Sequence, residues 1–567
     1  MPCSEIIPSE SYADFIIRYY SFASLPFTRE ELDCVDFVSN QYAISHVPLA
    51  SIPPLSMEHY QYSTIPKLYA LLDTTSMEAS GIIQTSNQPA LGYKGRGTII
   101  GFVDTGINYQ DPLFLNSDGT TRILGIWDQT ITGNGINSSN PIEDLHFGTE
   151  FTREQINEAL MSADPLSVVP TKDNDGHGTF LAKIAAGNEA PELNYTGAAP
   201  ECSIVVVKLK QAKQYLRDYY FVSSDVDAYQ ENDIMLGIKY LLYMSSQSLL
   251  PLTILLGLGT NLGSHDGTSS LATFMSYIST SPGIITVVAG GNETGYGHHH
   301  LGVIASGNEY EDVELHVAQG EFGFTLELWS RAPELYSVGF ISPTGEQIER
   351  VPNTTGDGHR LTFLLEKTVI YFNYRVSESG TGSQLILMRF QEPTPGIWRI
   401  RVHNSLFIRG EYHMWLPVRG FISNDTFFLK PNPNTTITEP GNAPLLITIA
   451  GYNHNDNSLY IHSSRGYSRQ DVIKPDLAAP GVNVSVPAGR GSQTLSGTSV
   501  AAAHAAGAAA NLLSWAFTGQ NDLYMNTSAA KSFLVRGARR NPIFSYPNRE
   551  WGYGTLDLYN SFIQLRG

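Results

Sequence analysis

The chain has 567 residues, of which 42% are hydrophobic and 16% charged. At about 150 residues per domain this length allows three or four domains with cores of their own, and the composition excludes a disordered chain or a coiled coil. The 35 basic and 54 acidic residues leave a net charge of −19. No Lys/Arg cluster offers a phosphate-tracking surface, so nucleic acid and acidic membrane surfaces are excluded as partners.

The first residues, Met-Pro-Cys-Ser-Glu-Ile-Ile-Pro, lack the basic and apolar regions of a secretory signal peptide, which points to a reducing compartment. Cys3, Cys34 and Cys202 are too few and too scattered for a disulfide framework or a CxxC metal site, and read as three free thiols. Residues 1 to 84 mix helical and strand-like runs (12–20, 30–38) without a catalytic-looking cluster. A Gly-rich loop at 92–97 then precedes the β-branched run 98–103. Further short apolar runs at 204–209, 251–256 and 284–289 alternate with helical patterns at 177–186 and 232–244. This is the pattern of a parallel α/β sheet whose strands are buried on both faces.

Between 302 and 435 the texture becomes all-β, with strand-like runs at 322–329, 360–365, 369–376, 384–389, 398–403 and 412–417, as in a sandwich. The α/β pattern resumes at 445–451, and 499–515 reads as a long helix of small residues. The apolar stretch 500–517 carries His504, Asn511 and Ser514 and is barely long enough for a bilayer, so it reads as a buried helix rather than a membrane span.

Four segments combine into chemistry. Asp104 follows the run 98–103, at the strand end where a parallel sheet opens its ligand crevice. His177 lies between two glycines at a helix start, free for proton transfer. Ser499 opens the small-residue helix, where free N–H groups favour an oxyanion. Asn292 follows Gly290-Gly291 after another buried strand and can donate to developing negative charge. Singly these read as a turn former, a loop histidine, an N-cap and a Gly-Asn turn. Together they would supply acid, base, nucleophile and oxyanion donor, in the chain order Asp, His, Asn, Ser.

The segments resemble the subtilisin-like (S8) serine peptidases. Val-Asp-Thr-Gly at 103–106, His-Gly-Thr at 177–179 and Gly-Thr-Ser-Val-Ala at 497–501 match the three triad motifs in the family's order, over about 95–300 and 440–560. Gly-Ala-Ala-Pro at 197–200, Lys-Pro-Asp-Leu-Ala-Ala-Pro-Gly at 474–481 and Gly-Thr-Leu-Asp at 554–557 agree with further family elements. Gly257-Leu258-Gly259 resembles the family's Ser-Leu-Gly strand, which pairs with substrate backbone and walls the S1 pocket together with Gly290 and Gly291. Gly257 departs from the family serine, and Ala503 from its usual proline. The resemblance implies a serine endopeptidase with Asp104, His177 and Ser499 as triad and Asn292 in the oxyanion hole, acting on protein or peptide substrates. No cofactor is required for that chemistry, and structural calcium is left open. Asp225, Asp227 and Asp266 lack EF-hand spacing and read as solvated, and His298-His299-His300 reads as a solvated loop rather than a metal site.

The layout further resembles the clostridial Csp germination proteases. The implied fold class is α/β: a subtilisin-like parallel sheet flanked by helices, with a small α+β N-terminal prodomain and an all-β, jelly-roll-like insertion. The implied units are a prodomain at 1–84, the first subtilase part at 85–302, the insertion at 303–435 and the second subtilase part at 436–567. In that group the prodomain acts as intramolecular chaperone and inhibitor, is cut off autocatalytically and stays bound in the cleft. The target is a spore cortex-lytic pro-enzyme, which implies a cytoplasmic or spore-associated location. The expected cut lies between Gln84 and Thr85, within the tail 80–89. The competing reading is a pseudoprotease or self-inhibited scaffold that binds a partner without turnover.

Overall fold

The computed structural model describes residues 3–19, 34–71, 78–86, 88, 91–133, 135–136, 144–351, 358–489 and 491–564. At the centre is a nine-stranded sheet in the order Ser458–Leu459, Ile447–Asn453, Ile284–Ala289, Leu252–Leu256, Ile99–Asp104, Ser203–Lys208, Ile123–Asp128, Thr149–Thr152, with Leu477–Pro480 also on Ile447–Asn453. The inner pairings are parallel and only the two outermost are antiparallel. Alternate side chains serve opposite cores. Ile100 and Phe102 join the helices His177–Ala186 and Thr498–Leu513 on one face, while Ile99 and Val103 meet Glu231–Ser248 and Ser270–Ile278 on the other. Helices on both faces are what the uninterrupted apolar strands require.

The helix Thr498–Leu513 runs through the interior. It belongs to the single described segment long and apolar enough to cross a membrane, Thr498–Thr518, of which 89% is buried inside the fold. Its small residues allow close approach: a Cβ on Gly507 would collide with the Cβ of Ala198, in the Gly-Ala-Ala-Pro segment. Ala503, where the family has proline, lies within this uninterrupted helix.

The N-terminal region forms a three-stranded antiparallel sheet, Tyr12–Arg18, Tyr42–Pro48 and Val35–Phe37, with Tyr42–Pro48 central. Cys3 and Cys34 are joined in a disulfide with Cα atoms 5.3 Å apart, and only Cys202 is free and buried. This corrects the reading of three free thiols: the helix Cys3–Ile6 folds back to the residue preceding strand Val35–Phe37, a proximity that sequence spacing does not reveal.

The insertion is a pair of antiparallel sheets, one of six strands and one of five, around a core that includes Leu326, Met388 and Trp398. Among its strands that went unread in the sequence are Tyr310–Val317 and Leu335–Ile341. The first carries Glu311, Asp312 and Glu314 on its less buried positions, which masks the apolar alternation. Its opening strand is His299–Val303, so the histidine run is not a solvated loop. All three histidines are buried: His298 Nδ1 meets Glu293 Oε2 at 2.8 Å, His299 Nε2 meets His413 Nδ1 at 3.0 Å, and His299 and His413 both stack on Trp415. Burial holds the His299 and His413 imidazoles below their ordinary pKa, so they serve as neutral packing groups.

Candidate active site

Parallel strands place their carboxyl ends along one edge, and the four predicted groups collect there. Asp104 ends the strand Ile99–Asp104 and is 1% exposed. Its Oδ1 accepts from the Thr105 backbone N–H (2.8 Å) and meets His177 Nδ1 at 2.7 Å. His177 opens its helix directly after Gly176, whose left-handed backbone (φ 90°) makes the turn into it. On the other side, a Cβ at Gly178 would collide with the carbonyl oxygen of Gly106 and approach the Asp104 side chain to 3.2 Å, so glycine there lets the helix start close against the aspartate. His177 Nε2 lies 3.2 Å from Ser499 Oγ. With Asp104 on Nδ1, that nitrogen carries the proton and Nε2 is the acceptor facing the serine.

Ser499 is the second residue of Thr498–Leu513 and is fully buried. Asn292 Oδ1 accepts from both the backbone N–H (3.0 Å) and the hydroxyl (3.1 Å) of Thr498, whose Oγ1 also accepts from the Gly291 N–H (3.0 Å). With its amide oxygen held by Thr498, Asn292 has its NH₂ as the donating end of the side chain. Thr498 was missed as a functional residue. The signal available was its place next to the nucleophile in a run with more hydroxyls than one helix cap needs.

The substrate-strand residues also converge here. Leu258–Gly259 pairs antiparallel with Leu68–Leu71 of the N-terminal region, Leu258 opposite Leu71 and Gly259 opposite Ala70. The far edge of Leu68–Leu71 pairs with Tyr229–Gln230, so the N-terminal segment is the middle strand of three. A Cβ on Gly257 would stand 3.2 Å from Ser499 Cβ and 3.3 Å from His177 Cε1, which places this glycine at the reacting centre. Gly290 and Gly291 lead from Ile284–Ala289 into Asn292.

Gln84 and Thr85 are not in the cleft. They lie in the helix Ile82–Ser86, which packs on Leu558–Ile563, and the Thr85 hydroxyl donates to the Gly81 carbonyl at 2.9 Å. A helical bond cannot offer the extended backbone that the edge Leu258–Gly259 needs. The chain along that edge is Leu68–Leu71 instead.

Among the described residues, no group of three or more His, Cys, Asp or Glu side chains is gathered to hold a metal ion. Asp225 and Asp227 are exposed. Asp266 is not solvated as expected: it is buried and ion-paired with Arg469 Nη2 at 2.7 Å, under the insertion. The Lys-Pro-Asp motif is structural. Buried Lys474 Nζ donates to the Leu446 carbonyl (2.7 Å), Thr448 Oγ1 (2.9 Å) and Asp476 Oδ2 (2.8 Å), and burial depresses its pKa to about 7.

Against known proteins, the model of the subtilase family (Peptidase_S8) matches residues 95–317 and 422–554. Among solved structures, the CspB protease of Clostridium perfringens is similar at 30% identity and a TM-score of 0.75, covering 86% of this chain and 97% of that one. Among curated proteins, the Arabidopsis thaliana subtilisin-like proteases SBT3.6 (32% identical over 139 residues) and SBT1.9 (24% over 481) are similar. The alignments cover 23% and 77% of this chain but 17% and 60% of those relatives, less than two thirds of their length. With its family match on both sides of the insertion and the layout of CspB, the chain belongs to the subtilase family.

Proposed function

We propose that the protein is a serine endopeptidase that cuts its own N-terminal prodomain and then protein substrates. The observation that carries this reading is the line Asp104 Oδ1, His177 Nδ1, His177 Nε2, Ser499 Oγ, with steps of 2.7 and 3.2 Å in a buried site. Ser499 Oγ attacks the scissile carbonyl as His177 Nε2 takes its proton. Asp104 holds the imidazole in place and stabilises its charged form. The tetrahedral oxyanion lies between the Asn292 NH₂ and the Ser499 backbone N–H. As the intermediate collapses, His177 returns the proton to the leaving amine, and water then hydrolyses the acyl-enzyme by the same path.

The strand Leu68–Leu71, seated on Leu258–Gly259, supports a prodomain tail bound as the N-terminal side of a cut. We therefore place the cut just beyond Leu71, within 72–77, and not at Gln84–Thr85. Residues 72–77 lie outside the described residues. The retained tail also makes self-inhibition part of the enzyme's cycle rather than an alternative to it.

The resemblance to Csp proteases supports a role in activating a cortex-lytic pro-enzyme during germination, in a cytoplasmic or spore-associated location. Incubation with such a pro-enzyme and sequencing of the product tests that role. For the enzyme itself, the test is the intact mass of wild type beside Ser499→Ala, each treated with a fluorophosphonate. Two fragments and one label in the wild type, against one unlabelled chain in the variant, are expected. One unlabelled full-length chain in both removes the protease reading and leaves the scaffold.

A further inference from the structure

The tail strand Leu68–Leu71 lies between two edges, Leu258–Gly259 and Tyr229–Gln230, and the residue just ahead of it is Lys67. Lys67 is 1% exposed, a place a lysine takes only when its charge is met. Two parts of the molecule meet it. Glu231 opens the helix Glu231–Ser248 of the catalytic body. Its Oε2 accepts the Lys67 backbone N–H (3.3 Å) and stands 3.6 Å from Nζ, and its own N–H donates to the Lys67 carbonyl (3.0 Å). Glu327, on the strand Gly323–Ser330 of the insertion, supplies a second carboxylate, fixed by hydrogen bonds to Oε2 from Gly263 N–H (3.0 Å) and Trp329 Nε1 (2.9 Å). Burial pushes the Glu327 pKa up, and the nearby Lys67 charge works against that rise.

Lys67 Nζ also donates to the Tyr62 carbonyl (3.1 Å), and the Tyr62 hydroxyl donates to Glu327 Oε1 (2.5 Å). Tyr62 and Lys67 belong to the N-terminal region and depart together. The two carboxylates stay behind, both buried, and among the described residues the ion pair of Glu231 is with Lys67. Buried negative charge without a counter-ion is costly, so the vacated socket calls for another cation. A substrate that replaces the tail enters as a strand between the same two edges. Its residue four places before the one opposite Leu258 then stands where Lys67 stood. We propose, resting on the protease reading above, that Glu231 and the insertion's Glu327 form a substrate subsite for a basic side chain at that position. The insertion thereby takes part in choosing the substrate, well away from the bond that is cut.

The test uses the full-length protein and synthetic peptides of the sequence 64–77, with Lys67 kept or replaced by norleucine or glutamate. Cleavage is followed by mass spectrometry, and rates are compared as ratios within each protein, so partial blocking of the cleft by the tail cancels. In wild type the lysine peptide is expected to be cut roughly tenfold faster than the norleucine peptide, or more, and the glutamate peptide slowest of all. Glu231→Gln is expected to lower the lysine-to-norleucine ratio about fivefold or more, and Glu327→Gln to lower it by a smaller factor. Equal rates for the lysine and norleucine peptides in wild type overturn the proposal, as does an unaltered ratio in Glu231→Gln. Should Glu231→Gln fail to fold, an unaltered ratio in Glu327→Gln overturns it equally. If no peptide is cut while an alkyl fluorophosphonate still labels Ser499, the socket serves Lys67 alone and the proposal falls with the protease reading intact. Absence of fluorophosphonate labelling removes the protease reading itself.

Discussion

Among the described residues, two buried Asp–His pairs have the same length, and one of them faces a serine hydroxyl. In the cleft, Asp104 Oδ1 meets His177 Nδ1 at 2.7 Å; beneath the N-terminal sheet, Asp14 Oδ1 meets His46 Nδ1 at 2.7 Å. The difference is what the second nitrogen faces. His177 Nε2 looks at Ser499 Oγ, whereas His46 Nε2 is taken by a second carboxylate, Asp36 Oδ2, at 3.1 Å. Asp14 is further bound by Lys213 Nζ (2.9 Å) and Gln230 Nε2 (2.9 Å), both from the catalytic body, and Asp36 by His146. One pair is left with an acceptor to spend on a substrate, and the other is saturated and acts as a clamp. An Asp–His distance by itself therefore says nothing about catalysis; the partner of the remaining ring nitrogen decides.

Breaking each pair should separate the roles. Asp104→Asn leaves the geometry but removes the charge and the preferred tautomer, so self-cleavage is expected to slow by about 10⁴-fold. This is read as the half-time of fragment appearance on a gel, and a drop below tenfold would place the proton path elsewhere. Asp14→Ala leaves Lys213 buried without its carboxylate and His46 with Asp36 alone, a cost of about 3–5 kcal/mol. It should appear as a lower melting temperature and loss of the cleaved N-terminal fragment on gel filtration, with the fluorophosphonate still reacting at Ser499. Asn292→Ala should cost about 10²–10³-fold in cleavage rate, the scale known for the oxyanion asparagine of subtilisin, a member of the same family. It should leave the N-terminal clamp intact.

The clamp also sets a pH window. Burial works against the charge on His46, but Asp14 and Asp36 overcome it and raise its pKa. Burial likewise opposes charge on Asp14 and Asp36, yet Lys213 and His46 for the first, and His146 and His46 for the second, hold both well below the usual carboxylate range. The histidine contribution is thus complete below its ordinary pKa of about 6.5 and lost as pH rises through the raised value, while the carboxylate contributions are present above about 4 and lost in strong acid. Retention of the cleaved fragment on gel filtration should be greatest in the mildly acidic range and weaken on the alkaline side. His46→Gln should reduce that alkaline weakening to the part contributed by His146, whose pKa the hydrogen bond to Asp36 also raises, and an unaltered profile would exclude His46 as a titrating group. The smallest expected effect belongs to Thr498→Val. It removes one of the two hydrogen bonds to Asn292 Oδ1 and the acceptor of the Gly291 N–H, together worth about 2 kcal/mol or roughly thirtyfold in rate, measured with the same cleavage assay.

The catalytic edge was legible because Asp104, His177, Asn292 and Ser499 each sit where an apolar run meets a turn or helix start, and strand ends in a parallel sheet share one edge. The strands Leu252–Leu256 and Ile284–Ala289 were legible as short runs that are apolar but for Thr253 and Thr286. What escaped depended on contacts between distant segments. Leu68–Leu71 is only a strand between two edges supplied at 229–230 and 258–259, so its own residues could not distinguish it from the tail at 80–89. Cys34 meets Cys3 only through the N-terminal sheet. His299 reads as polar until Trp415 and His413 are stacked on it.

The hydrogen bonds from Thr498 to Asn292 join residues on opposite sides of the insertion. A ribosome delivers the chain from its N-terminus, and domains fold as they emerge. Asp104, His177 and Asn292 are therefore made well before Ser499, and the oxyanion donor has no anchor until the β-sandwich has passed out of the exit tunnel and the helix Thr498–Leu513 has threaded the core. Ser499 and the Thr498 anchor of Asn292 are thus the last parts of the cluster to be placed. The strand Leu68–Leu71, by contrast, precedes in the chain both edges that later hold it, so it is waiting when Leu258–Gly259 forms.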